Sequence, residues 1–237
     1  MPRTEDSSAG SERQRIVDEY ARRAREIPAD RYSWGEPANQ FLQAQLWRDC
    51  IDALRRRGAY PLNGRKVLDV GCGMGTWLME FVQWGADPAE LAGIDLVEDR
   101  VALAKRNLPR ADIRLDDASA MPWPDGYFDM ATQFTVFSSV LDPGMRQRIA
   151  TEMVRVVKPG GLILWFDCAF DNPRNPNITG IKLDELRRLF GGCGIDARRS
   201  RLAPPIARLV APLSWPLALM IEKLPFLRSH YLAVMER

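Results

Sequence analysis

The stretch VLDVGCGMGTWL, residues 67–78, decides the fold because it predicts a buried strand, a glycine-rich turn and the start of a helix. Three glycines in five residues (Gly71, Gly73 and Gly75) favour a ligand that approaches the backbone closely. Their spacing is G-x-G-x-G, whereas a dinucleotide-binding turn is G-x-G-x-x-G and would need glycine at Thr76. The turn therefore predicts a ligand other than a dinucleotide.

Three acidic residues accompany the first strands of the predicted sheet. Asp69 lies in the strand just before the turn, Asp95 ends the next apolar run, and Asp117 follows the third. A carboxylate at Asp69 repels a pyrophosphate but attracts an ammonium group. Asp95 can accept hydrogen bonds from ribose hydroxyls, and Asp117 can accept one from an exocyclic amine. An ammonium, a ribose diol and an aminopurine together predict S-adenosylmethionine as the cofactor.

Four ordered motifs carry a family resemblance over roughly residues 65–167, in the order VLDVGCGMGTW, GIDL, DDASAMPWPDGYFD and VVKPGG. In these motifs the chain resembles the class I S-adenosylmethionine-dependent methyltransferases that act on small molecules. The resemblance implies in-line transfer of a methyl group from a sulfonium. It also implies the cofactor-binding positions: Asp69, Gly71, Cys72 and Gly73 at the methionine end, Asp95 and Leu96 at the ribose and adenine, Asp117 and Ala118 at the adenine edge, and Gln133 and Phe134 near the sulfonium.

Strand-like runs alternate with helical stretches from residue 66 onward, which predicts an α/β fold with a mostly parallel sheet. With the resemblance, we expect a Rossmann-like seven-stranded sheet whose last strand is antiparallel and whose two faces carry helices. We predict a disordered tail over residues 1–10 and a single domain over 11–237. Within it, 11–58 forms an N-terminal helical cap and 204–227 an apolar insertion before the last strand.

Two residues at the predicted ligand edge of the sheet are candidate general bases. Asp167 ends the fifth strand, and His230, the sole histidine, begins the last strand at the same edge. Histidine is the usual base near neutral pH, although a purely structural role at a strand end is an equal alternative. With one histidine and no Cys-x-x-Cys pair, the sequence predicts no metal site.

The polar loop at residues 167–180 suggests the acceptor. Its Asn172, Arg174 and Asn175 offer amide and guanidinium groups suited to a hydroxyl-rich acceptor such as a sugar, a glycoside or another secondary metabolite. The alternative is a rigid connection. Tyr32 and Trp34, between the two cap helices, are candidates for closing over the site, or for packing the cap.

Charge and composition limit the classes of partner that the chain can have. The net charge is +2, which gives no support for nucleic acid binding, yet residues 181–237 hold ten Lys or Arg against five Asp or Glu. For 204–227, a core role, an acceptor lid, a dimer interface and peripheral contact with a membrane surface all stay open. The chain is predicted to be a monomer or homodimer. Dispersed cysteines and a polar N-terminus favour the cytoplasm. An RNA methyltransferase and a non-catalytic cofactor-binding module are the alternative functions.

Overall fold

A computed structural model describes residues 5–28, 31, 33–172 and 175–237. Its centre is one seven-stranded sheet with the spatial order β3-β2-β1-β4-β5-β7-β6. All neighbouring strands pair in parallel except β7, which is antiparallel to both β5 and β6. The predicted sheet is thereby confirmed, including its antiparallel last strand. The strands are β1 Val67–Val70, β2 Leu91–Asp95, β3 Asp112–Leu115, β4 Phe128–Phe134, β5 Val157–Cys168, β6 Gly194–Leu202 and β7 Arg228–Glu236.

Eight α-helices accompany the sheet in the described part of the chain. Proline at the first turn begins α2, α5, α7 and α8, where a missing N–H costs nothing. At α5 the carboxylate of Asp142 also accepts the N–H of Met145 at 2.6 Å. The helices are α1 Glu5–Glu26, α2 Pro37–Arg56, α3 Thr76–Gln83, α4 Glu98–Asn107, α5 Pro143–Val156, α6 Leu183–Leu189, α7 Pro204–Val210 and α8 Trp215–Ile221.

Helices cover both faces of the sheet because strand side chains alternate between them. In β1, Leu68 and Val70 pack into the core shared with α1, α5 and α6. Val67 packs into the opposite core, with α2, α3 and α4. The carboxyl ends of β1, β2, β3, β4 and β5 meet at one edge, where ligands of such sheets bind.

The N-terminal helix begins earlier than the sequence indicates. A helix was expected from residue 11 after a disordered tail, but α1 already begins at Glu5. Residues 5–10 show no apolar spacing that would signal a helix, and residues 1–4 of the expected tail lie outside the described residues.

The insertion before β7 folds into α7, α8 and a 3-10 turn at Pro225–Leu227. Ala207, Ala211 and Ala218 are buried against Phe41 and Leu42 of α2. This side of the insertion is therefore core, while several larger apolar side chains point to solvent. No helix in the part of the chain that the structure describes is both long and apolar enough to cross a membrane.

Candidate functional site

A pocket of 160 Å³ opens at the carboxyl ends of β1, β2 and β4, beneath α1. Its lining is mainly apolar and includes three aspartates, Asp95, Asp116 and Asp117. The sequence-predicted residues that line it are Gly71, Asp95, Leu96, Asp117, Ala118 and Phe134. Six of the ten predicted cofactor positions are thus brought together around one cavity.

The glycine turn and Asp95 hold each other in place. Gly71, Gly73 and Gly75 all have positive φ, at 69°, 52° and 81°, which favours glycine at each position. A Cβ at Gly71 would also lie 2.4 Å from Cγ2 of Val136, another residue of the pocket wall. The two carboxylate oxygens of Asp95 accept the N–H groups of Gly73 and Val97, each at 2.9 Å. Asp95 therefore holds the turn in place and also lines the pocket.

Asp117 is buried in the pocket wall beside Ala118. One of its oxygens accepts the N–H of Ser119 at 2.8 Å, which fixes the side chain in the turn after β3. The other lies 3.3 Å from Nε of Arg13 on α1. The oxygen that an exocyclic amine would use is therefore paired with a guanidinium from the covering helix.

Asp69 and Cys72 lie behind the pocket wall. The hydroxyl of Thr132 donates to Asp69 at 2.7 Å, and burial together with the charge of Asp95 raises the pKa of Asp69 to about 7. Cys72 packs among the core side chains beneath the turn, and burial raises the pKa of its thiol. Neither side chain lines the pocket, so the structure gives Cys72 a packing position and leaves Asp69 as a buried charge site next to the glycine turn.

Gln133 and Phe134 take different positions at the end of β4. The Gln133 amide accepts the N–H of Val136 at 2.9 Å and donates to the carbonyl of Phe166 at 3.2 Å. Its fully buried side chain supports the turn at Thr135, whose φ is 61°, and does not line the pocket. Phe134 lines the pocket and stacks on Trp77, with ring centroids 3.6 Å apart and planes 6° apart.

His230 and Asp167, the two candidate bases, project from opposite faces of the sheet. The buried ring of His230 lies parallel to that of Phe166, with centroids 4.8 Å apart. Its Nδ1 lies 2.9 Å from Oγ of Ser229, and its Nε2 lies 3.4 Å from Sγ of Cys168. Burial and the charge of Arg201 hold the pKa of His230 well below its usual range, so the ring is neutral near pH 7.

Asp167, the other candidate base, is fully buried in the other core. Its oxygens accept the N–H of Ser138 at 3.1 Å and that of Cys168 at 2.8 Å. Burial raises the pKa of Asp167 to about 6, against the lowering effect of these hydrogen bonds. A carboxylate enclosed in this way holds the 3-10 turn after β4 and does not contact the pocket.

The residues predicted to bind the acceptor are dispersed. Asn175 forms its own turn, because its side chain accepts the N–H of Asn177 at 3.1 Å and its N–H donates to the carbonyl of Asn172 at 2.9 Å. Trp34 stacks on Trp47 of α2, with centroids 5.7 Å apart, and remains largely exposed. Tyr32 and Arg174 lie outside the described residues.

The sequence missed the contribution of α1. Ile16 and Tyr20, four residues apart on its apolar stripe, line the pocket. The guanidinium of Arg100, also in the wall, lies 4.2 Å from the Tyr20 ring centroid. The four-residue spacing of Ile16 and Tyr20 is typical of a buried helix face, but nothing local to it indicates which surface the helix covers.

The donor set fits S-adenosylmethionine. Asp95 and Asp117 would hold the ribose and the adenine amine, Leu96 and Ala118 would flank the ring, and the glycine turn would admit the methionine end to the backbone. When bound, this cofactor supplies an electrophilic methyl group on a sulfonium. Among the described residues there is no group of three His, Cys, Asp or Glu side chains that could hold a metal ion.

Sequence comparisons agree with this geometry. Residues 67–161 match the family described as "Methyltransferase domain". A protein of Mycolicibacterium smegmatis named probable S-adenosylmethionine-dependent methyltransferase is 28% identical over 214 residues, covering 77% of this chain and 79% of its own. The demethylmenaquinone methyltransferase of Renibacterium salmoninarum is 33% identical over 123 residues, or 52% of this chain, which spans about half of that relative (47%).

The structure also resembles solved structures. That of the [4+2]-cyclase SpnF aligns with a TM-score of 0.60 at 21% identity, covering 89% of this chain and 85% of the cyclase. At this identity the likeness concerns the fold alone.

Proposed function

We propose, from the premise that the chain is a class I S-adenosylmethionine-dependent methyltransferase, that it methylates a hydroxyl of a small molecule built on an apolar ring. The observation that carries this proposal is the ring of Phe134, which lines the cofactor pocket at one point of a row of aromatic side chains. The row runs from Trp77 through Phe134 and Phe166 to His230, with 6.3 Å between the centroids of Phe134 and Phe166, and its last two members are buried. An aromatic side chain at the pocket favours a flat apolar acceptor by ring contact and by apolar burial.

The relatives lend support to an acceptor of this kind. One relative is named a demethylmenaquinone methyltransferase and another a 2-methyl-6-phytyl-1,4-hydroquinone methyltransferase. Both names specify a substrate with a quinone or hydroquinone ring. A sugar or glycoside, the other acceptor class predicted from the sequence, has weaker support. The side-chain oxygen of Asn175 already accepts the N–H of Asn177 within the loop. The same holds for Asp171, which accepts from Thr179 and Gly180.

His230 is the base in this proposal. Its buried ring lies at the end of the aromatic row, and its lowered pKa leaves it unprotonated near pH 7, the state that a general base requires. For His230 to take up a proton, the acceptor must reach the ring and the site must stabilise the imidazolium that forms. Asp167 lies in the opposite core with its oxygens turned to backbone N–H groups, so we assign it to positioning the turn after β4. The free cysteines of the described chain are consistent with the reducing cytoplasm that the sequence predicts.

The test is an acceptor panel in which release of S-adenosylhomocysteine is measured. We expect turnover with phenolic or hydroquinone acceptors and none with matched sugars and glycosides. His230→Gln, which keeps a polar side chain of similar reach, should lower turnover by about 10²–10⁴-fold while the Kd for S-adenosylhomocysteine stays within about twofold.

Two results would contradict the proposal. Turnover with sugars alone would show that the acceptor is a sugar and not an apolar ring compound. Unchanged turnover in His230→Gln would show that His230 takes no part in the chemistry. The likeness to a cyclase means that the fold by itself leaves the reaction open, so a methylated product must be identified by mass. An RNA methyltransferase or a non-catalytic binding module would give no product with any small acceptor.

A further inference from the structure

The insertion between β6 and β7 presents an apolar surface to solvent. Its most exposed members are Leu213, Phe226 and Leu209, which are 84%, 77% and 72% exposed. Leu217, Met220 and Leu224, spaced by three and four residues, are also exposed. We define the insertion surface as the exposed side chains of Leu209, Leu213, Trp215, Leu217, Leu219, Met220, Leu224 and Phe226.

This surface is not exposed through poor folding of the insertion. The opposite side of the same segment packs tightly on α2 through Ala207, Ala211 and Ala218. Trp215 reaches back to Phe41 in an edge-to-face contact, with centroids 5.6 Å apart. The insertion is therefore packed on one side, and the apolar side chains left on its other side are more than a surface helix usually exposes.

The charges that the insertion itself exposes are of one sign. Between residues 203 and 229 the sequence has Arg208, Lys223 and Arg228, and a single acid, Glu222. Glu222 is buried and forms an ion pair with Arg48 of α2 at 2.7 Å. No carboxylate of this segment is therefore turned to solvent, while Lys223 is exposed between Met220 and Leu224.

We propose that the insertion surface docks on an anionic lipid bilayer. Leucine, phenylalanine and tryptophan side chains would enter the boundary between headgroups and acyl chains, while Lys223 and Arg208 would meet the anionic headgroups. The charge pattern favours a bilayer over a second copy of this chain, because a two-fold contact would bring these like charges together. The docking goes beyond the proposed methyl transfer and does not depend on the acceptor.

The experiment is cosedimentation with phosphatidylcholine vesicles, with and without phosphatidylglycerol. We expect the unmodified protein to pellet with the anionic vesicles and more weakly with the neutral ones. The triple variant Leu209→Ser, Leu213→Ser, Phe226→Ser should bind the anionic vesicles more weakly by about tenfold or by a larger factor, because three apolar side chains no longer enter the lipid. Lys223→Glu should remove most of the preference for phosphatidylglycerol.

The control is Tyr127→Ser, which removes an exposed aromatic side chain just before β4, at the opposite edge of the sheet. It should bind vesicles like the unmodified protein. The insertion variants should retain their melting temperature, and all variants should retain their affinity for S-adenosylhomocysteine, so a failure of docking is distinguishable from a failure of the proposed enzyme. Pelleting no greater than without vesicles would overturn the proposal. So would a dimer in solution that the triple variant converts to a monomer while vesicle binding stays absent.

Discussion

Two buried carboxylates near this site show how burial raises a pKa and thereby favours the uncharged form. Asp69 and Asp167 are both carboxylates at the carboxyl ends of central strands, and burial raises the pKa of both, to about 7 and about 6 respectively. They differ in their partners. Asp167 accepts two backbone N–H groups, whereas Asp69 accepts one hydroxyl and lies near the negative charge of Asp95. Asp69 is therefore the one that gains most from a cation brought to the glycine turn.

Cofactor affinity should consequently depend on pH through Asp69. Its free carboxyl is protonated below about pH 7, whereas the cofactor's ammonium favours the ionised form, so the affinity for S-adenosylhomocysteine should rise by up to about tenfold per unit as pH approaches 7. Calorimetric titration over pH 5–8 checks this. Asp69→Asn should bind weakly at every pH, with the dependence removed.

Asp167→Asn is the matched control, because it also removes a buried carboxylate with a raised pKa but lies away from the pocket. Its affinity should retain the pH dependence of the unmodified protein. A pH-independent affinity in the unmodified protein would mean that the ammonium is held by another group.

At the scale of elements, the turn after β1 separates two effects of glycine. Gly71 and Gly73 both have positive φ, but only a Cβ at Gly71 would collide with the pocket wall, 2.4 Å from Cγ2 of Val136. At Gly73 the nearest atom is Nη1 of Arg100 at 3.7 Å, an ordinary contact. Backbone strain is thus common to both positions, whereas the steric conflict belongs to one.

Gly71→Ala and Gly73→Ala should therefore differ both in binding and in stability. Each should lose about 1–2 kcal/mol of folding free energy from the left-handed conformation, and Gly71→Ala should lose more, because its Cβ also displaces Val136. Gly71→Ala should in addition lose about tenfold or more in affinity for S-adenosylhomocysteine, because Val136 must move; this added loss corresponds to about 1.4 kcal/mol. Thermal unfolding and calorimetry measure the two quantities. Restoration of affinity in the double variant with Val136→Ala would support the steric cause, and equal affinity losses in the two single variants would contradict it.

The elements that the sequence predicted well are those whose signal is local. The strand before Gly71 and the run ending at Asp95 are short and apolar between clear turns, and both are strands. The pocket positions in these turns were predictable for the same reason. Gln133 was not, because its hydrogen bonds to Val136 and to the carbonyl of Phe166 depend on how β4 and β5 pair. The burial of Asp167 was not predictable from its position at a strand end, because that position does not tell which face of the sheet the side chain takes.

For the whole molecule, α1 is the element that joins distant parts around the cofactor pocket. Arg15 donates to the carbonyl of Ser139 at 2.6 Å, and Glu12 accepts the N–H of Leu141 at 2.5 Å, so α1 is tied to the turn before α5. Asn177 of the polar loop donates to Glu19 at 2.8 Å. These contacts span more than a hundred residues of sequence, so local patterns predict the helix but not the surface that it covers. With Ile16 in the pocket, α1 acts as a cover that must yield when a cofactor enters.

The ion pair between Arg13 and Asp117 makes this opening measurable. Arg13 is half-exposed, so the pair contributes at most about 1 kcal/mol, yet it occupies the oxygen that the adenine amine needs. Arg13→Ala should therefore bind S-adenosylhomocysteine up to about fivefold more tightly, mainly through faster association measured by stopped flow. Arg22→Ala, which removes another ion-paired arginine of α1 outside the pocket, is the control and should leave the rate unchanged.

Amide exchange in α1 should slow once the ligand is bound, because the cover then closes on an occupied site. Weaker binding by Arg13→Ala would instead mean that the guanidinium holds the ligand, and α1 would then be part of the binding site and not an obstacle to it.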